Sequence, residues 1–148
     1  MNRLPEVETA KALMTDAMTW SVMKWLREKK NVRKAADLAN AALDKLSEAT
    51  KARWPEHVRT AYEALDSKGR QAAGNQKLAA NDSDGRLTAK KIKDADDEAY
   101  RARMDAEKSF DDAEKQLSTS LAREGCRKAI HGWELHEKAI RKAESVLS

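Results

Sequence analysis

The chain has 148 residues, of which 36% are charged and 41% hydrophobic, with only 5 glycines and 2 prolines. Few breakers and abundant Ala, Glu, Lys, Arg and Leu favour helices, and the rarity of β-branched residues argues against strands. The net charge of +4 permits contact with nucleic acid or anionic lipid but indicates neither. The composition predicts an all-α fold: a bundle of four or five long, Ala-rich amphipathic helices with a polar mid-chain loop, in one domain over residues 1–148.

The cysteine count and the apolar runs bear on the cellular compartment. A single cysteine, Cys126, excludes an intrachain disulfide and fits a reducing environment. No charge-free run exceeds seven residues, so no segment is predicted to span a bilayer, and the first residues lack the apolar stretch of a signal peptide. We therefore expect a cytoplasmic protein.

The first predicted helix covers about residues 5–30. Pro5 suits the first helical position, because its missing N–H needs no partner there. Apolar residues occupy a wide sector of this helix, which predicts that it is the central, most buried one. Its basic end favours a helix C-terminus, since cations interact well with the carbonyl end of the helix dipole.

The second predicted helix covers about 31–53, with Asn31 as its N-cap. Its apolar face is narrow and rich in alanine, so a partner helix could approach closely; the face comprises Val32, Ala36, Ala39, Leu43, Leu46 and Ala49. Trp54-Pro55 forces a break, because the residue before proline avoids the α region. A third helix is predicted over 55–66.

The pattern weakens between residues 67 and 87, where glycines and small polar residues predict a hinge or loop. Within it, Asp82 to Thr88 resembles the middle of an EF-hand calcium loop. The position that would supply the closing glutamate is Lys91, whose charge opposes calcium binding. The segment is therefore interpreted as a turn that caps the next helix, and no metal site or cofactor is predicted.

The last two helices are predicted over about 88–124 and 126–148. Thr88 is a suitable N-cap, and Leu87 and Ile92 can form a hydrophobic staple. The apolar stripe changes register near Gly125, which predicts either a break there or a stutter in one continuous helix.

Catalytic motifs are not recognisable in the sequence. His131 and His136 are five residues apart and so lie on different helix faces, and His136 falls on the apolar stripe as a packed histidine. Cys126 lies in the apolar register, as a structural thiol would. The acidic runs over 94–98 and 105–114 have cations three or four residues away, which is typical of a solvated helix surface. We expect no enzyme activity.

The strongest charge asymmetry is a basic cluster at the predicted junction of the first two helices. It contains Lys24, Arg27, Lys29, Lys30, Arg33 and Lys34 against one acid, Glu28. Such a cluster could contact phosphate, anionic lipid or the acidic stretch of another subunit, or dock on the acidic helix of its own chain.

Three functional hypotheses follow. The first is a non-catalytic scaffold or protein–protein interaction module that self-associates through its second or fourth helix. The second is a nucleic-acid-associated protein that uses the basic cluster. The third is an enzyme or ligand-binding bundle, which a deep pocket lined by His131, His136 or Cys126 would favour.

Overall fold

The computed structural model describes residues 4–74 and 84–147, with side chains for 4–65 and 84–147. These residues form five helices and no strand: α1 (Pro5–Ala17), α2 (Val22–Lys51), α3 (Glu56–Gly74), α4 (Arg86–Gln116) and α5 (Thr119–Leu147). The predicted all-α bundle is confirmed. Most of the predicted helix boundaries are not.

The break between α1 and α2 lies at residues 18–21, whereas the sequence predicted it at 30–31. Ser21 is the N-cap of α2, and its hydroxyl accepts a hydrogen bond from the backbone N–H of Lys24 at 3.2 Å. Asn31 lies inside α2, where its side chain donates to Glu28 at 2.8 Å. The apolar run around the break hid it, because hydrophobic periodicity does not distinguish a buried turn from a buried helix.

The observed boundaries of α3 and α4 also differ from the predicted ones. Trp54-Pro55 separates α2 from α3 as predicted, but α3 continues to Gly74 rather than ending at 66. Gly85 is the N-cap of α4 in place of Thr88, and Asp84 supports this turn by accepting the backbone N–H of Arg86 at 3.1 Å. Residues 75–83, most of the predicted loop, lie outside the described residues.

α4 and α5 form an antiparallel hairpin whose connection is at Leu117 and Ser118, not at Gly125. Gly125 lies within α5, where a Cβ atom would meet the ring of Phe110 in α4 at 2.8 Å. This glycine therefore permits close helix packing and does not end a helix.

α5 is the central helix, since it packs against α1, α2 and α4, while α3 packs on α4. The prediction that the first helix is central is wrong, because the chain turns back at 18–21. The main core joins α1, α2, α4 and α5, and a second cluster joins Trp54, Val58, Tyr62, Ala89, Ile92 and Ala143.

The narrow alanine seams of α2 and α4 pack against other helices of the same chain. Val32, Ala36 and Ala39 of α2 are buried in the main core, as are Ala106 and Ala113 of α4. Self-association stays a prediction, and these seams are already covered by helices of the same chain. Among the described residues, no helix is long and apolar enough to cross a membrane.

Candidate functional site

A polar chamber of about 400 Å³ lies between α2, α3, α4 and α5. Its volume is within the range of small-molecule sites. The lining residues are mostly charged or polar: Asp44, Ser47, Glu48, Lys51, Tyr62, Lys93, Asp96, Asp97, Ala99, Tyr100, Arg103 and His136. We call this space the polar chamber.

Helical spacing brings these side chains together. On α2, Asp44, Ser47 and Lys51 follow one another at steps of three and four, which places them on one face. α4 contributes a similar stripe from Lys93 to Arg103. Tyr62 of α3 and the ring of His136 of α5 complete the lining.

Two ion pairs and a short hydrogen bond fix the walls. The guanidinium of Arg103 contacts both carboxylate oxygens of Asp44, at 2.9 and 3.2 Å, and so ties α4 to α2. The Lys93 ammonium lies 3.2 Å from Asp97. The hydroxyl of Tyr62 donates to Asp96 at 2.6 Å, a length typical of a hydrogen bond to a charged acceptor.

The ring of Tyr62 is held by cations and by an aromatic neighbour. The ammonium groups of Lys51 and Lys93 lie 4.7 and 5.5 Å from its centroid, within the range of cation–π contacts. Trp54 packs against it edge-on at 5.3 Å between centroids. The wall that α3 provides is therefore fixed from several sides.

His136 is the titratable group whose ionisation the chamber alters. Burial of the ring lowers the pKa of His136, while the carboxylates of Asp96 and Asp44 act in the opposite direction, and Arg103 and Lys51 reinforce the lowering. The imidazole is therefore mainly neutral at neutral pH, so that one nitrogen donates a hydrogen bond and the other accepts one.

Two polar groups of the chamber have no partner among the described residues. The Nε of Arg103 is buried without a hydrogen bond, since its two terminal nitrogens are directed to Asp44. No hydrogen bond joins the His136 ring to any residue that the structure describes. A buried donor without an acceptor is unfavourable, which applies to the Nε of Arg103. The His136 ring is only partly buried, so its nitrogens are open to solvent or to a bound molecule.

The predicted basic cluster is not part of this chamber. Its six residues lie in the first half of α2 rather than at a helix junction. Arg33 contacts Asp111 at 3.2 Å and Glu114 at 3.4 Å, so this one cation docks on the acidic helix of its own chain. Lys24 lies over the Trp20 ring at 5.1 Å. Among the residues that the structure describes, no acid pairs with the remaining members, which are Arg27, Lys29, Lys30 and Lys34.

The other candidate groups fall into two classes. His57 and His131 are exposed, whereas Cys126 is fully buried, and burial raises the pKa of its thiol to about 12. This thiol is therefore protonated and unreactive in the folded protein.

The sequence-based interpretation of the acidic runs was partly wrong. Asp94 and Glu98 are exposed as predicted, but Asp96 and Asp97 line the chamber, where Asp97 forms an ion pair with Lys93. His136 lines the same space instead of packing with a hydrogen-bonded ring. The spacing of His136 from Asp96 and Asp44 in the sequence gives no sign of their proximity, because three separate helices supply them.

Comparison with protein-family models, with curated proteins and with solved structures finds no match to this chain. Within the described ranges, no group of three or more His, Cys, Asp or Glu side chains is arranged to hold a metal ion. Functional inference therefore depends on the chemistry of the chamber and of the surface.

Proposed function

We propose that this chain is a ligand-binding helical bundle that holds a small polar molecule in the polar chamber. The observation that carries the proposal is one cavity between four helices that is lined by the His136 ring, which no described residue hydrogen-bonds, and by Arg103, whose Nε is buried without a partner. Ligand sites combine a preformed cavity with a few convergent polar groups. A perturbed pKa in such a cavity adds support.

The balance of charges suggests the class of ligand. Four carboxylates and three cations line the chamber, and the imidazole is mainly neutral. A ligand with a strong net charge would be repelled by the lining groups of the same sign. A zwitterionic or uncharged molecule with both donors and acceptors would find complementary groups on the walls. We therefore expect a molecule such as an amino acid or a small sugar, which would exchange hydrogen bonds with His136 and lie against the Arg103–Asp44 pair.

Binding is favoured over catalysis by the absence of a nucleophile beside the base. In the part of the chain that the structure describes, no hydroxyl or thiol is hydrogen-bonded to His136. The only cysteine, Cys126, belongs to the main core and does not line the chamber. A nucleophile and a base within hydrogen-bonding reach are the usual sign of covalent catalysis.

The test uses the three histidines as internal probes. Free amino acids and monosaccharides are titrated into the protein while the imidazole resonances are followed by NMR. We expect a ligand to shift the resonances of His136 and to leave those of the exposed His57 and His131 in place.

Matched variants separate the site from the surface. His136→Gln and Arg103→Lys are expected to weaken binding at least tenfold, because each removes one contact of about 1.4 kcal/mol or more. His131→Gln, an exposed change on the same helix, is expected to bind as the parent does. Saturable binding that survives both chamber substitutions in folded protein would show that the ligand lies elsewhere.

A further inference from the structure

One end of the bundle leaves aliphatic side chains in solvent. The guanidinium of Arg123 donates to the backbone oxygen of Trp20 at 3.4 Å, so the start of α5 lies beside the α1–α2 connection. Three aliphatic residues at these connections are exposed: Val22 by 42%, Met23 by 68% and Leu117 by 59%. We call residues 18–34 together with 115–127 the connector end.

Leu117 is unfavourable for the isolated chain in two respects. Its backbone has φ 51° and ψ 43°, and it is the one non-glycine residue with positive φ in the part of the chain that the structure describes. Glycine is preferred at such a left-handed helix end because it has no Cβ to clash. A strained residue that is also solvent-exposed points to a role outside the molecule.

Three cations follow the exposed Met23 along one face of α2. Met23, Arg27, Lys30 and Lys34 follow one another at steps of four, three and four, which places them on one outward stripe of α2. All four are exposed, and the three cations have no ion pair within the described ranges. The stripe continues through exposed Leu38, Ala41 and Lys45 without an acid.

Most acids near this stripe are engaged with other side chains; the exception is Asp37, which is exposed three residues after Lys34. Glu28 accepts a hydrogen bond from Asn31, and Asp111 and Glu114 contact Arg33. Glu124 pairs with Arg127 and Lys128. With three exposed cations against the one exposed carboxylate of Asp37, the stripe presents a net positive charge to a partner.

We propose that the connector end docks on the surface of an anionic lipid bilayer. Met23 and Leu117 enter the headgroup region, while Arg27, Lys30 and Lys34 contact the acidic headgroups. Peripheral proteins bind membranes by this combination of a few apolar side chains and attraction between basic residues and anionic lipids.

Two other partners fit the connector end less well. Nucleic acid would be bound by the cations alone, and the aromatic rings at this end cannot stack on bases, because Trp20 and Trp25 are only 6% and 2% exposed. A symmetric contact between two copies through α2 would place like charges together. A lipid bilayer would bury the exposed aliphatic side chains, whereas neither of these partners would.

The experiment is vesicle co-sedimentation with the full chain. Vesicles of phosphatidylcholine alone are compared with vesicles that also contain phosphatidylserine. We expect binding only to the phosphatidylserine vesicles, and we expect it to weaken as salt is added.

The triple variant R27Q/K30Q/K34Q should bind about a hundredfold more weakly, since each basic residue near the surface contributes about fivefold. The control K91Q/K138Q/K142Q, which removes the same charge from exposed positions on α4 and α5, should bind as the parent does.

A second pair of variants tests the apolar contribution without weakening the fold. Leu117→Gly removes the side chain and relieves the left-handed strain, so it should reduce vesicle binding about tenfold while the melting temperature stays the same or rises. Met23→Ser should reduce binding similarly. Val146→Ser, a change of a partly exposed residue near the end of α5, should have no effect on binding.

Three outcomes would overturn the proposal. One is the absence of binding to phosphatidylserine vesicles at low salt. Another is an equal loss of binding in the two charge-removal variants, which would indicate non-specific attraction. The third is tighter binding to a short DNA duplex that depends on Arg27, Lys30 and Lys34 but not on Met23 or Leu117, which would assign the connector end to nucleic acid.

Discussion

Three histidines in this chain differ in role because their surroundings differ. His57 and His131 are exposed, whereas His136 faces a chamber whose charged groups come from two other helices, α2 and α4. Desolvation of the His136 ring outweighs the effect of the two nearby carboxylates on its pKa. The residue type alone therefore predicts little about its ionisation, which depends on burial and on neighbours that are distant in the sequence.

The lowered pKa of His136 predicts a pH dependence of stability. The unfolded chain takes up a proton on His136 below about pH 6.5, whereas the folded chain does so only at lower pH. The contribution of neutral His136 is therefore complete above this value and is lost as the pH falls through the folded pKa. The free energy of unfolding, measured with urea, should decrease from about pH 7.5 to about pH 5.5 in the parent. The decrease should be smaller in His136→Gln. Equal losses in both proteins would contradict the assignment, and His131→Gln is the control.

At the scale of elements, glycine illustrates how one residue type supports opposite structural interpretations. Gly125 predicted a helix end, yet it lies inside α5 because Phe110 of α4 occupies the space where its side chain would be. Phe110 is 2% exposed and stacks on Trp25 at 6.1 Å between centroids. The helix ends instead at Leu117, whose side chain gives no sequence signal for a left-handed backbone.

We predict that Gly125→Ala destabilises the protein although alanine is the better helix former. The gain in helix propensity is about 1 kcal/mol. Overpacking against a fixed ring costs about 1–3 kcal/mol, so a net loss of up to about 2 kcal/mol is expected in urea unfolding. Phe110→Leu made in the Gly125→Ala background should recover part of this loss in a double-mutant cycle. A rise in melting temperature for Gly125→Ala alone would show that α4 and α5 have room to separate.

At the scale of the whole molecule, the α1–α2 unit is joined to the α4–α5 hairpin by a few polar contacts among many alanines. The indole N–H of Trp133 donates to the Asn40 side chain at 2.8 Å, and both residues are buried. The Lys11 ammonium lies 3.0 Å from the carboxylate of Glu137. Small side chains permit close packing in several registers, so directional contacts of this kind select one arrangement.

We predict that Asn40→Ala lowers the free energy of unfolding by about 1–3 kcal/mol, because the indole N–H of Trp133 then loses its acceptor in the core. Asn31→Ala changes the same residue type at an exposed position of the same helix and should alter stability by about 0.5 kcal/mol or less. Chemical denaturation of both variants measures the difference. Similar losses at the two positions would mean that the buried hydrogen bond contributes little beyond helix propensity.

The sequence by itself determined the helical class, the start of the first helix at Pro5, the break at Trp54-Pro55, and most of the buried seams of α2 and α4; Ala49, which the apolar pattern places in the α2 seam, is exposed. These features depend on local propensity and on hydrophobic spacing within one helix, which the order of residues records directly. Only the tertiary structure decided that the chain turns at 18–21 and at 117–118, and that α5 is central. It also decided that Asp44, Asp96, Arg103 and His136 surround one chamber, because side chains far apart in the sequence meet only when the helices pack.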